Sequence, residues 1–120
     1  MKINIIKNTE DLILVKDEWN KLYSNTAYTT FQTYDFNYYS WVKELSKIKR
    51  NRLCIVQLIR NNITFSIMPF YIDSIKRLRF INDIHADFCD ILLDTDFDLK
   101  YVLNTIRTRE FFFSVHLNNL

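Results

Sequence analysis

Glycine is absent from all 120 residues of this chain, where average usage of about 7% would give roughly eight. Loops that cradle the phosphates of nucleotides and coenzymes need glycine, because backbone N–H groups must approach the anion and the chain must adopt positive φ. The sequence therefore holds no Walker loop, no dinucleotide-binding fingerprint and no glycine-rich loop for acyl-CoA. Codon bias in an AT-rich genome is the alternative explanation for part of the deficit.

A large charge excess and a long hydrophobic run are also lacking. The net charge of +2 is too small for the electrostatic attraction on which non-specific nucleic-acid binding relies. The apolar residues after Met1 are interrupted by Lys7, Glu10 and Asp11, which excludes a signal peptide and a spanning helix there. We therefore expect a cytoplasmic protein without a DNA partner and without membrane association.

The two cysteines, Cys54 and Cys89, lack CxxC spacing, and each stands among apolar residues. This pattern favours small buried thiols over a disulfide. A zinc site built from His85, Cys89 and the neighbouring aspartates lacks a second Cys or His at ligand spacing, because His116 is distant in the sequence. We expect no metal.

The abundant residues are hydrophobic (48%) and aromatic (16%), a composition that excludes disorder as the dominant state. A length of 120 residues is typical of one domain, which buries roughly two-thirds of the surface exposed by the unfolded chain. The chain shows no internal repeat, low-complexity tract or linker. We predict a single domain over residues 1–120.

Apolar spacings of three and four residues predict three helices. The first begins near Thr9, which is placed to cap it, and the second covers residues 34–48. The third is capped by Asp94 or Asp96. Their apolar stripes are Leu12, Val15, Trp19, Leu22 and Tyr23; Tyr38, Trp41, Val42, Leu45 and Ile48; and Leu99, Val102, Leu103 and Ile106.

Extended, β-branched segments predict the strands. Residues 53–59 and 63–72 form a hairpin whose Asn61-Asn62 turn supplies left-handed backbone without glycine. Pro69 lies in the second arm, which predicts an edge or a bulge there, since proline cannot donate to the ladder. The other predicted strands cover residues 2–6, 78–81, 90–93 and 111–117.

This order of elements indicates an α/β protein, more narrowly an α+β domain with a mixed sheet. We predict three layers, with helices packed on a mostly antiparallel sheet that is incomplete at its C-terminal edge. A sheet that stops on its last strand leaves a bare hydrophobic edge, which natural proteins cover or pair.

Short motifs follow one another along nearly the whole chain. They are Glu18-Trp19-Asn20-Lys21-Leu22, Phe31-Gln32-Thr33-Tyr34 leading into Tyr39-Ser40-Trp41, Phe65-Ser66-Ile67-Met68-Pro69-Phe70-Tyr71, Leu78-Arg79-Phe80-Ile81, and Ala86-Asp87-Phe88-Cys89-Asp90-Ile91-Leu92-Leu93. In this order they resemble the N-terminal half of GNAT-superfamily acetyltransferases of the CelD-like and FemAB-like branch.

The resemblance implies a GNAT-like fold, usually present twice in one polypeptide, that transfers an acyl group from acyl-CoA or aminoacyl-tRNA to a sugar or peptide amine. This chain would be the acceptor-side or scaffold half, inactive alone. Acetyl-CoA or another acyl donor is expected only with a second half. The expected partner is the missing C-terminal GNAT-like half, or another copy joined through the sheet edge. The alternatives are a non-catalytic interaction module that pairs through the open sheet edge and a degenerate remnant without a role.

His85, Asp87 and Asp90 are the candidate site residues, weak ones for catalysis. Either aspartate is suited to hold an acceptor amine or hydroxyl, and His85 is suited to act as a general base because its ordinary pKa lies nearest neutrality. The simpler interpretation is a loop whose carboxylates bind backbone N–H groups.

Two further patterns have simpler explanations. Asp94, Asp96 and Asp98 match the start of a calcium loop, but Leu99 and Thr105 replace its required glycine and glutamate, so helix capping is favoured. Basic residues 43–52 stand beside aromatic residues that fit a helix core better than a nucleic-acid surface. A second basic group, Lys76, Arg77 and Arg79, is a candidate for steering an anionic substrate.

Overall fold

A mixed β-sheet with helices on both faces forms the fold. The computed structural model describes residues 1–26, 32–82, 91–93 and 97–117, with residues 92 and 93 described by backbone only. The strands are β1 (Lys2–Ile6), β2 (Arg52–Arg60), β3 (Ile63–Ile72), β4 (Arg77–Phe80), β5 (Leu92–Leu93) and β6 (Ser114–His116). The helices are α1 (Thr9–Leu14), α2 (Lys16–Thr26), α3 (Tyr34–Tyr39) and α4 (Leu99–Arg109).

The strands lie in the order β1-β2-β3-β4-β6, and β5 pairs with β3 beside β4. Every pairing in the described part of the chain is antiparallel except that of β6, which runs parallel to β4 after the α4 crossover. The predicted α+β class with a mixed, mostly antiparallel sheet is confirmed. β1 and β6 are the outer strands among the described residues.

The predicted hairpin of β2 and β3 is confirmed. Asn61 and Asn62 both have positive φ, 53° and 62°, a conformation that asparagine tolerates better than most residues because its short side chain bonds locally. Leu58 pairs with Ser66 and Ile59 with Thr64, so one residue of β3 between these pairs is extra. This bulge places the side chains of Phe65 and Ser66 on the same face of the sheet.

The prediction that Pro69 marks an edge or a bulge is wrong. Pro69 lies in the inner strand β3 opposite Ile55, several residues from the bulge. Its carbonyl accepts the N–H of Ile81 at 2.9 Å, and a strand residue points its nitrogen and its carbonyl to the same side. The nitrogen therefore also faces Ile81, where proline has no N–H to donate back. This pair keeps one of its two possible ladder bonds, and β4 ends at the preceding residue, Phe80.

The first predicted helix is divided into α1 and α2 at Val15 (φ −90°, ψ 0°). Its cap is Asn8, not the predicted Thr9: the Asn8 side chain accepts the N–H of Asp11 at 2.8 Å. Asparagine is a strong N-cap because its side-chain oxygen satisfies a backbone donor that has no helical partner. The predicted apolar stripe of these two helices nevertheless faces the core.

The second predicted helix changes its hydrogen-bond pattern along its length. α3 continues as a π-helical turn over Ser40–Glu44 and a 3₁₀ turn over Leu45–Lys47. Trp41 and Leu45 are buried as predicted, but Ile48 follows the last turn in an extended conformation and is 51% exposed. The uniform period used for the prediction does not hold through the wider π turn, so the stripe ends earlier than predicted.

The third predicted helix is α4, capped by Asp98 and not by Asp94 or Asp96. The Asp98 side chain accepts the N–H of Tyr101 at 3.2 Å. Asp94 and Asp96 lie outside the described residues. Val102 and Ile106 are fully buried as predicted.

Two apolar clusters form the core, one between each face of the sheet and the helices that cover it. One face of the sheet packs against α1 to α3 around Trp19, Tyr34 and Trp41, and the opposite face packs against α4 around Val102 and Ile106. Because strand side chains alternate between faces, β2 contributes Leu53 and Ile55 to the first cluster and neighbouring residues to the second. The three predicted layers are present.

The last strand is shorter than the predicted 111–117. Only Ser114–His116 pairs with β4, and the Phe113 N–H donates to the Lys76 carbonyl at 2.8 Å just before it. Phe112 is buried, whereas Phe111 and Phe113 are exposed.

Candidate functional site

The predicted site residues His85, Asp87 and Asp90 lie outside the described residues, as does Cys89. The described chain stops at Asn82 and resumes at Ile91, and both of these residues are buried. The geometry of the candidate catalytic group is therefore untested.

A buried amide network holds Asn82 at the end of the β4 segment. The Asn82 amide donates to Asn37 Oδ1 at 2.9 Å, and Ser40 Oγ donates to Asn82 Oδ1 at 2.5 Å. Asn37 in turn donates to the Thr33 carbonyl at 2.8 Å. Asn37 and Asn82 are only 1% and 3% exposed. The network joins α3 to the end of the described chain before residue 83.

Ser40 belongs to this network and begins the π-helical turn. Its carbonyl accepts the N–H of Leu45, five residues later. The wider turn inserts one extra residue into the helix, a change that is frequent at functional sites. Here it accompanies the contact of the Ser40 hydroxyl with Asn82.

A second polar group joins α2 to strands β1, β2 and β3. The Gln57 side-chain amide nitrogen donates to Glu18 Oε2 at 2.5 Å and to Thr64 Oγ1 at 2.7 Å. Its side-chain oxygen, Oε1, accepts from the Asn4 side-chain amide at 2.9 Å. Asn4, Glu18 and Gln57 line a cleft of about 300 Å³ together with Asp11. The described part of the chain places no basic side chain in this cleft, so its carboxylate and amide oxygens suit a ligand with hydrogen-bond donors.

The third feature is the sheet edge formed by β6. Its other side has no partner strand among residues 1–26, 32–82, 91–93 and 97–117. Phe111, Phe113 and Val115 are 56%, 71% and 37% exposed, and the two phenylalanine rings meet edge to face with centroids 4.8 Å apart. An apolar surface thus accompanies an open strand.

A groove of about 280 Å³ runs between α4 and β6. Its apolar lining is Leu99, Leu103, Phe112 and Val115, and its polar lining is Lys100, Asn104 and Arg107. The Arg107 guanidinium carbon lies 4.9 Å from the centre of the Phe112 ring, a distance suited to a cation–π contact. We call this feature the α4–β6 groove.

Two of the three basic residues near β4, Arg77 and Arg79, form ion pairs with a buried carboxylate. Asp73 Oδ2 lies 2.6 Å from Arg77 Nε and 3.5 Å from Arg79 Nη1. Burial by itself would raise the pKa of Asp73, but hydrogen bonds from the Arg77 backbone and side chain outweigh it and lower that pKa. These two arginines therefore hold the β3–β4 turn, which weakens the prediction that they steer an anionic substrate.

Two other titratable groups are inert near neutral pH. Cys54 is a free, fully buried cysteine, which confirms the prediction of a buried thiol at this position. Burial, followed by the nearby Glu110 carboxylate, raises the pKa of this thiol to about 12. Burial, followed by Tyr38 and Asp35, raises the pKa of Tyr34 to about 12. The Tyr34 hydroxyl donates to the Leu12 carbonyl at 3.0 Å, so its role is structural.

In the described part of the chain, no group of three or more His, Cys, Asp or Glu side chains is placed to hold a metal ion. No described helix combines the length and the apolar character that crossing a bilayer requires.

Comparison of the chain with protein-family models, curated proteins and solved structures finds no match. The GNAT-like resemblance therefore stays a prediction from the motifs. The function must be inferred from the geometry of the chain itself.

Neither polar group was predicted from the sequence, and nor was the α4–β6 groove. One signal was available: Gln57 interrupts an otherwise apolar run in β2, and a buried polar side chain needs partners. No sequence pattern predicts the hydrogen bond between Asn37 and Asn82, which are 45 residues apart.

Proposed function

We propose that this chain binds a second polypeptide along the free edge of β6, so that the bound segment extends the sheet. The observation that carries this proposal is the open edge itself, next to exposed Phe111, Phe113 and Val115. Natural proteins usually cover or blunt such edges, because unpaired strand N–H and C=O groups are a template for another strand.

The backbone direction of β6 supports strand addition. The Phe113 N–H points toward β4, where it donates to Lys76. Because successive strand residues point their backbone groups to opposite sides, Val115 also faces β4 while Ser114 and His116 face outward. Two residues therefore offer main-chain donors and acceptors to an added strand.

The motif resemblance makes the proposal more specific. In that form the chain is the N-terminal, acceptor-side half of a GNAT-like acyltransferase, and the bound polypeptide is the second half, which carries the acyl-donor site. The mixed sheet with helices on both faces supports this form, since the resemblance implies such a fold. The lack of glycine supports the placement of the donor site on the partner.

Edge pairing is tested with a neutral peptide of sequence Thr-Thr-Val-Thr-Thr, titrated while the backbone amide NMR signals are followed. We expect shifts at Ser114 and His116. His116→Pro removes an outward N–H without touching the β4 ladder and should abolish binding, whereas the matched control His116→Ala keeps the N–H and should bind. Equal binding by both variants, or no binding at millimolar peptide, would overturn the proposal.

The acyltransferase form has its own test. Calorimetric titration of the isolated chain with acetyl-CoA should give no heat of binding, because the donor site is assigned to the second half. Micromolar affinity of the chain alone would contradict that assignment while leaving edge pairing intact.

A further inference from the structure

The α4–β6 groove restricts which strand can pair with β6. We infer that the added strand carries an apolar side chain flanked by acidic side chains on its α4-facing side. This inference rests on the proposed pairing along β6, and it names the chemistry of the partner.

The floor of the groove is apolar and includes the edge strand. Val115 lines it together with Leu99, Leu103 and Phe112, so a strand added beside β6 places alternate side chains against α4. A groove of about 280 Å³ is large enough for one branched aliphatic side chain. Burial of such a side chain would remove water from exposed apolar surface, which favours binding.

The rim of the groove is positive. Lys100 and Arg107 are exposed and line it, and no carboxylate among the described residues does. α4 contains no acidic residue over Leu99–Arg109. The carboxylates that flank it in the described chain have other partners, since Asp98 caps the helix and Glu110 pairs with Lys7 and Arg52. Seven residues of helix separate Lys100 from Arg107 by about 10 Å, and strand residues four apart are separated by about 13 Å. One acidic side chain on each side of the apolar one, four residues apart, therefore roughly matches the separation of Lys100 and Arg107.

Charge disfavours a second copy as the occupant. Two copies paired through β6 would bring together two α4 helices that each carry Lys100, Arg107 and Arg109 and no acidic residue. The strand they would add, Ser114–His116, also has no carboxylate. Like charges destabilise an interface, and complementary charges favour it. An acidic partner strand therefore fits better than this chain's own.

The test compares three peptides that differ only in the flanking residues: neutral Thr-Thr-Val-Thr-Thr, acidic Glu-Thr-Val-Thr-Glu and basic Lys-Thr-Val-Thr-Lys. We expect the acidic peptide to bind the full chain about tenfold more tightly than the neutral one, because it adds two exposed ion pairs, each of modest strength. The difference should shrink in 1 M salt, where charges are screened beyond about 3 Å.

A charge-reversed chain, Lys100→Glu with Arg107→Glu, should reverse this preference in favour of the basic peptide, and circular dichroism checks that it folds. Equal affinity of the unmodified chain for all three peptides would overturn the inference and leave edge pairing standing. Failure of every peptide, with no shift at Ser114 or His116, would overturn edge pairing itself. Concentration-dependent dimers in sedimentation equilibrium that His116→Pro abolishes would assign the edge to a second copy and overturn the acidic partner.

Discussion

Replacing Asn82 with alanine should destabilise the domain more than any surface asparagine would. The side chain is buried and joins two partners, accepting from Ser40 Oγ and donating to Asn37 Oδ1. Asn82→Ala leaves the Ser40 hydroxyl without that acceptor and the Asn37 carbonyl oxygen without that donor.

The magnitude follows from the number of groups affected. A buried polar group that loses a hydrogen-bond partner costs about 1–3 kcal/mol, so two such groups predict a loss of about 2–6 kcal/mol in the free energy of unfolding. A domain of this size is stable by only about 5–15 kcal/mol. The variant should therefore retain its fold in buffer with a much smaller margin.

Urea denaturation followed by circular dichroism measures this loss. With a slope of about 2 kcal/mol per molar urea, the midpoint should fall by about 1–3 M. Asn20→Ala, at an exposed position in α2, is the matched control and should leave the midpoint within about 0.5 M. A loss below about 1 kcal/mol for Asn82→Ala would refute the reasoning.

A double-mutant cycle separates the network from simple cavity formation. Asn37→Ala combined with Asn82→Ala should cost less than the sum of the two single changes by about 0.5–3 kcal/mol, because both remove the same hydrogen bond. Strict additivity would show that the 2.9 Å contact contributes nothing measurable.

Three further outcomes can be measured on the same protein. Ile106→Ala, in the fully buried α4 core, should lower the free energy of unfolding by about 2–5 kcal/mol in urea; a loss below about 1 kcal/mol would contradict this core assignment. Because the folded pKa of Asp73 is depressed, its stabilisation is present above the unfolded pKa of about 3.9 and is lost as the pH falls through the folded pKa. Asp73→Asn should flatten the acid limb of a stability-against-pH curve, and an unchanged limb would rule out this contribution. In a Cys89→Ser background, Cys54 should react with a thiol reagent at pH 8 at least about a hundredfold more slowly in buffer than in urea; similar rates would show that its thiol is accessible.

Local patterns predicted much of the fold. The Asn61-Asn62 turn, the apolar runs on either side and the α4 stripe each depend on neighbouring residues, so their conformations are encoded within short segments. Caps were less predictable. Asn8 competes with Thr9, and Asp98 competes with Asp94 and Asp96, all of which are residue types that can cap. The position of the first helical residue decides between them.

The features nearest to function were not predictable from local patterns. The π turn at Ser40 is part of a helix whose sequence period looks regular, and its contact with Asn82 spans 42 residues. The α4–β6 groove needs a helix and a strand to meet at one edge. The predicted His85, Asp87 and Asp90 group remains a prediction.

The sequence by itself determined the absence of glycine-dependent phosphate loops, the α+β class and the apolar faces of the helices, because composition and periodicity act locally. Only the tertiary structure decided that Pro69 lies in an inner strand, that Asn37 and Asn82 share a buried bond, and that β6 ends the described sheet beside a positive groove. These contacts join segments far apart in the chain. Their partners are selected by packing across the sheet, which no short stretch of sequence specifies.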